Sequence, residues 1–185
     1  MKEFLLPDDT AGSDTAKAHT LVALLGEKGW HICFGESCTG GMAAAGIVDV
    51  ASASAVIDLS FVTYANDAKI KYLGVNPDSI EKYGVVSQTV AAEMAIGAAK
   101  AGHAEVGVGI SGIAGPSGGT DEKPIGTVCF GFNINGETIT KTMRFGNIGR
   151  NAVRQASVDY VYDTLIKLLN TEQLTPEENN VILTM

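Results

Sequence analysis

Asn135-Gly136 is the feature that most narrows what this chain can become. An Asn-Gly pair supplies the positive φ angles of a two-residue hairpin turn, and β-prone runs flank it at 125–134 and 138–145, so those runs must pair antiparallel. Everything upstream has a different rhythm. Strand-like stretches at 30–34, 60–64 and 104–110 are separated by segments with helical spacing. Strands interleaved with helices ahead of an antiparallel hairpin imply an α/β chain whose mixed sheet carries helices on its faces. The 185 residues, 45% apolar and 18% charged, suit one domain with a substantial core.

The helices have legible ends. A first helix starts from Ser13 or Asp14 as N-cap, carries Ala18, Leu21, Val22, Leu24 and Leu25, and stops near residues 26–29. Residues 41–50 form a small-residue helix. Asn66 caps a helix bearing Lys69, Lys71 and Leu73 that ends at Gly74, and Asn76-Pro77-Asp78-Ser79 opens a short helical turn. Gly84-Val85-Val86 reads as extended chain. Ser87 caps a long helix through Ala101, with Val90, Ala91, Met94, Ala98 and Ala101 on one face, and a closing helix over 149–169 shows Val153, Ala156, Tyr160, Leu165 and Leu168 as its stripe. A domain over 14–169 is expected, with an N-terminal arm at 1–13 and a polar, acidic tail at 170–185.

Composition removes several classes of function. The formal charge is −8 and no basic stripe appears, so the electrostatic footprint of a nucleic-acid binder is missing. The N-terminal apolar stretch is too short for a signal peptide, and no segment approaches the roughly 18 apolar residues of a membrane span. Cys33, Cys38 and Cys129 are an odd number without a CxxC pair, which suits reduced thiols in a cytoplasmic protein. His19, His31 and His103 are scattered with no metal-ligand spacing, so no metal and no cofactor is expected.

Two phosphate-loop patterns fail on context. Gly107-Val108-Gly109-Ile110-Ser111-Gly112 fits GxGxxG, but its first glycines lie within a strand run, and Gly115-Pro116 stands where the helix should begin. Residues 35–40 have the spacing of a nucleotide-binding P-loop, yet Gly41 occupies the position of the required lysine.

What remains is Gly35-Glu36-Ser37-Cys38-Thr39-Gly40-Gly41 as a strand, tight turn and helix start. Ser37 then projects past the sheet edge, and free N–H groups of the first helical turn face whatever binds there. No histidine is placed to take the proton of Ser37, so a nucleophilic serine needs another partner. A desolvated lysine serves when its amine is neutral, and a tyrosine can relay or polarise. Tyr64 and Lys69 provide both, at a strand end and in the next helical turn. The plainer alternative makes Lys69 a solvated helix residue and Tyr64 a core-edge aromatic. The glycine-rich loop 111–119 is either a nest for phosphate or carboxylate or a wide connection. Cys38 is either itself the nucleophile or a small packing residue, the latter favoured because no histidine holds a thiolate.

Taken together, Glu36-Ser37-Cys38-Thr39-Gly40-Gly41, Val62-Thr63-Tyr64-Ala65-Asn66-Asp67-Ala68-Lys69, Leu73-Gly74-Val75, Gly84-Val85-Val86-Ser87, Gly109 through Pro116 with Gly118-Gly119, and Lys123-Pro124-Ile125-Gly126-Thr127-Val128 resemble the CinA C-terminal domain family in its stand-alone form. The resemblance implies a three-layer α/β/α single domain that hydrolyses the carboxamide of nicotinamide mononucleotide to nicotinate mononucleotide and ammonia, often as a homodimer. It implies Ser37 as nucleophile with Tyr64 and Lys69 activating it. Substrate contacts would come from Cys38, Thr39, Gly40, Gly41, Ser111, Gly112, Gly115, Gly118 and Arg150. Two departures stand out: Ser111 replaces a common threonine, and Gly146-Asn147-Ile148-Gly149-Arg150 replaces a Gly-Asp-Arg segment. The alternative they leave open is a catalytically inactive nucleotide-binding or regulatory module with the same fold.

Overall fold

In a computed structural model describing residues 12–170, the chain runs α1 (Gly12–Lys28), β1 (Ile32–Glu36), α2 (Met42–Val48), β2 (Phe61–Val62), α3 (Asn66–Leu73), α4 (Pro77–Tyr83), α5 (Gln88–Gly102), β3 (Val106–Gly112), β4 (Thr127–Ile134), β5 (Glu137–Arg144) and α6 (Arg150–Asn170). A single 3-10 turn, Ala53–Ala55, follows α2. Most of the expected arm at 1–13 and tail at 170–185 falls outside the described residues; Gly12 already opens α1, and Asn170 closes α6.

The sheet order is β2-β1-β3-β4-β5. β2 and β3 lie parallel to β1, whereas β3, β4 and β5 are successively antiparallel. The hairpin forms where Asn135-Gly136 placed it, with φ of 50° and 89°. Alternation along the strands then divides the core in two. Ile32, Phe34, Val106, Val108, Ile110, Phe130 and Phe132 bury against α1, α2 and α6. Cys33 and Cys129 face the other way, toward the α3–α5 layer. This is the expected three-layer arrangement. Phe130 lies 4.8 Å from the Tyr160 ring and 6.4 Å from Phe132; each fully buried side chain of this size stabilises by about 1.5–3 kcal/mol.

The GxGxxG-like run has a packing reason. A Cβ on Gly109 would collide with the Ala91 carbonyl of α5, and one on Gly107 with that of Ala95. These glycines let α5 lie directly on β3.

Several expected boundaries shift. β1 starts at Ile32 rather than Trp30, because the Trp30 N–H closes α1 by donating to the Leu25 carbonyl at 3.0 Å. The strand continues through Gly35 and Glu36, both buried. β2 is confined to Phe61–Val62, and Ala65, not Asn66, is the N-cap of α3. Residues 84–86 form no strand, the chain bending at 85–87. Asn76 and Ser87 do cap α4 and α5, accepting from the Asp78 and Val90 amides.

The buried face of α6 is Val153, Ser157, Val158, Val161, Tyr162, Leu165 and Leu169, rotated from the expected stripe; Ala156, Tyr160 and Leu168 are only half-buried. Ser157 escapes an apolar count, but its hydroxyl donates to the Val153 carbonyl at 2.7 Å and so needs no water.

Candidate active site

Because β1, β2 and β3 are parallel, with Glu36 opposite both Val62 and Ile110, their C-terminal ends open onto one edge of the sheet. Residues following these strands carry Ser37, Thr63-Tyr64 and the glycine-rich loop. Thr127 of β4 pairs with Arg144 of β5, so the chain leaving β5 reaches the same edge and delivers the start of α6. The opposite edge holds His31, whose Nδ1 lies 2.7 Å from Asp58.

Ser37 follows directly on β1 and stays tied to the sheet by its N–H, which donates to the Ile110 carbonyl at 3.0 Å. Its side chain is nearly buried. The chain then turns sharply: the Gly40 N–H donates to the Ser37 carbonyl at 3.1 Å, and Gly40 and Gly41 hold φ of 63° and 95°. These successive left-handed residues explain why glycine stands at both positions.

The start of α2 is not free, contrary to expectation. Glu36 is wholly buried and its carboxylate accepts from the N–H groups of Gly41 (2.9 Å), Ala43 (3.2 Å) and Ala44 (2.9 Å). The carboxylate occupies the electropositive end of the helix that the sequence offered to a ligand. The N–H groups of Cys38 and Thr39 remain. Among the described residues they have no oxygen acceptor and lie against the Cys38 sulfur, a weak one.

Lys69 stands on the first turn of α3, completely buried rather than solvated. Its Nζ is 3.1 Å from Ser37 Oγ, 2.6 Å from the Thr63 carbonyl and 3.3 Å from the Tyr64 carbonyl. Burial lowers its pKa to about 8 against a smaller opposing effect from Cys38. A neutral amine has two N–H donors and one lone pair. Two carbonyls that can only accept take both donors, which leaves the lone pair for the Ser37 hydroxyl. Burial pushes the Cys38 thiol up to about 11, so it stays protonated at neutral pH and packs in the core.

Tyr64 is exposed. Its carbonyl serves Lys69, while its hydroxyl accepts from Arg150 at 3.1 Å. Arg150, the first residue of α6, also donates to the Gly115 carbonyl at 2.8 Å. The altered 146–150 segment therefore still brings an arginine to the glycine-rich loop. Ser111 is placed differently from the other expected contacts: it is buried and its hydroxyl donates to the Val85 carbonyl at 2.7 Å. Gly112 closes β3 against Val128, and Gly118 stands in the exposed part of the loop with φ of 92°.

Three residues at the site escaped sequence reasoning. Glu36 read only as part of the turn stretch, with no role of its own, and Thr63 acts through its backbone, which no residue type signals. Arg154 holds the Ser37 turn from α6: Nε donates to the Cys38 carbonyl at 3.1 Å and Nη2 to the Thr39 carbonyl at 2.9 Å. Its spacing of four from Arg150, which puts both on one helix face, was the available signal.

The chain is similar to known proteins in sequence and in fold. The family model described as the CinA C-terminal domain matches residues 14–169. The chain is 46% identical over 146 residues to the nicotinamide-nucleotide amidohydrolase PncC of Enterobacter agglomerans, covering 78% of this chain and 88% of that protein. It is 47% identical over 139 residues to the PncC of Escherichia coli K12, covering 75% and 84%. A competence-damage inducible protein of Alkaliphilus oremlandii is 45% identical over 155 residues, 83% of this chain, but the match spans only 37% of that longer protein. The crystal structure of the competence/damage inducible protein CihA from Agrobacterium tumefaciens superimposes with a TM-score of 0.84 at 39% identity, covering 87% of this chain and 98% of that one.

Proposed function

The chain belongs to the CinA C-terminal domain family, and on that premise we propose that it hydrolyses the carboxamide of nicotinamide mononucleotide, releasing nicotinate mononucleotide and ammonia in pyridine-nucleotide salvage. The observation that carries this reading is the buried Lys69 amine 3.1 Å from Ser37 Oγ, in a relative of proteins named for that hydrolysis.

Ser37 Oγ attacks the carboxamide carbon as its proton passes to the neutral Lys69 amine. The negative oxygen of the tetrahedral adduct faces the Cys38 and Thr39 N–H groups. Protonated Lys69 then gives its proton to the departing nitrogen, so ammonia leaves and a nicotinoyl ester remains on Ser37. Lys69, neutral again, takes a proton from water as that water attacks the ester; returning it to Oγ frees the acid. No metal or cofactor is assigned a step.

The phosphate seat is assigned to the edge where Arg150, the first N–H groups of α6 and the loop at Gly115 and Gly118 meet. Tyr64, bonded to Arg150, belongs to this rim. The relay expected of its phenol would require it to leave that guanidinium. Among the described residues no helix is long and apolar enough to cross a membrane; a cytoplasmic homodimer is the accompanying proposal, supported for location by three free cysteines.

The test is ammonia release from nicotinamide mononucleotide. Turnover by the wild type and its loss in Ser37→Ala are expected. Binding without turnover in the wild type would favour a regulatory module, and unchanged turnover in Ser37→Ala would remove serine catalysis.

A further inference from the structure

Arg154 makes no hydrogen bond to Ser37 or Lys69, yet its guanidinium edge is spent on two consecutive carbonyls of the turn, those of Cys38 and Thr39. A third donor, Nη1, lies 3.3 Å from the Asn151 side chain, which braces the fork from within α6. A planar fork of this kind fixes both the position and the plane of the groups it holds, which a lysine ammonium does not.

The peptide unit converts that grip into a direction. In a planar trans peptide the C=O and the following N–H point opposite ways. Arg154 draws the Cys38 carbonyl toward α6, so the Thr39 N–H of the same peptide is turned away from α6. The preceding unit is fixed likewise: the Ser37 carbonyl is held by the Gly40 N–H, which orients the Cys38 N–H. Drawing charge onto a carbonyl oxygen also makes the N–H across that peptide a stronger donor. With Glu36 occupying the amides of Gly41, Ala43 and Ala44, the Cys38 and Thr39 N–H groups are the donors of this turn left for a developing oxyanion.

We propose that Arg154 is a positioning residue for the reaction: by clamping the Cys38 carbonyl it aims and polarises the Thr39 N–H that stabilises the tetrahedral intermediate at Ser37, while its grip on the Thr39 carbonyl fixes the next peptide, whose Gly40 N–H holds the Ser37 carbonyl. The inference rests on the amidase reading above. It differs from a role in holding substrate, because a donor used only in the transition state changes kcat and leaves KM nearly unaltered.

The experiment compares full-length wild type, Arg154→Ala and Arg154→Lys, with rates of ammonia release from nicotinamide mononucleotide normalised to folded protein by circular dichroism. Loss of one oxyanion donor costs about 10²-fold or more in kcat, and Arg154→Ala is expected to fall by that order with KM within about twofold of wild type. Arg154→Lys should recover part of kcat, and added guanidinium ion should partly restore Arg154→Ala without affecting wild type. A kcat retained in Arg154→Ala, or a loss confined to KM, overturns the proposal. A second readout needs no turnover: the Thr39 backbone amide resonance should move in Arg154→Ala while that of Val106 in the core stays fixed. An unmoved Thr39 resonance overturns the proposal. A wild type that releases no ammonia removes the amidase reading, and the amide resonance still decides whether Arg154 orients Thr39.

Discussion

Lys69 Nζ lies 3.1 Å from Ser37 Oγ and is held in the same grip by the Thr63 carbonyl at 2.6 Å. Thr63 is itself fixed, its N–H donating to the Glu36 carbonyl at 2.8 Å on the strand that carries Ser37. The proposed base and nucleophile are thus referenced to adjacent parallel strands, so their separation depends on sheet register rather than on flexible side chains.

The amidase rate should carry the signature of this lysine. Only the neutral amine accepts a proton, so kcat is expected to fall about tenfold per unit below an apparent pKa of about 8 and to level above it. Lys69→Ala should lose about 10²–10⁴ in rate and show no such limb. A wild-type profile flat from pH 6 to 9 would rule out Lys69 as base.

Stability should also depend on pH through Lys69. Its folded pKa of about 8 lies below the ordinary 10.5, so between these values the unfolded chain binds more protons and stability rises with pH. Cys33, Cys38 and Cys129, all raised from 9.0 by burial, the first two to about 12 and about 11, act oppositely as pH approaches and passes 9, where the unfolded chain loses their protons first. The denaturant midpoint of wild type should therefore rise relative to that of Lys69→Met between about pH 8 and 9, the thiol contribution being common to both. Equal slopes in both proteins would count against a depressed Lys69 pKa.

Tyr64→Phe separates two roles for the phenol. Bonded to Arg150 it belongs to the substrate rim, and its removal should raise KM severalfold with kcat nearly kept. A relay would instead lose about 10²-fold in kcat at unchanged KM. Steady-state kinetics on nicotinamide mononucleotide distinguish them.

Glu36→Gln should destabilise the protein by about 2 kcal/mol, because an amide replaces a carboxylate that accepts three charge-assisted hydrogen bonds. Calorimetry should show the loss, and hydrogen exchange at Gly41, Ala43 and Ala44 should accelerate. Unchanged exchange would mean that the carboxylate does not hold α2.

Gly109→Ala should cost about 1–3 kcal/mol, since the added methyl meets the Ala91 carbonyl and α5 must lift from the sheet. Gly26→Ala, in α1 with open space around it, is the control and should stabilise by about 0.5–1 kcal/mol. Similar effects at both positions would contradict close packing of α5.

The sequence by itself determined the hairpin, the helix caps at Asn76 and Ser87, the mixed α/β class and the residue types at the turn, because each is encoded locally by φ preference, capping or hydrophobic period. It also placed Ser37 and Tyr64 at strand ends and Lys69 in the next helical turn. It did not decide that the Glu36 carboxylate fills the helix end thought to be open, that Ser111 turns its hydroxyl to Val85, or that the Tyr64 phenol meets Arg150 rather than the serine. Nor did it show Arg154 on the turn from 116 residues away. These contacts join segments distant in the chain, and their geometry exists only once parallel register has brought the strand ends to one edge. What a residue can do chemically was legible in its side chain. Which partner it meets was fixed by the packing of the sheet and its two helical layers.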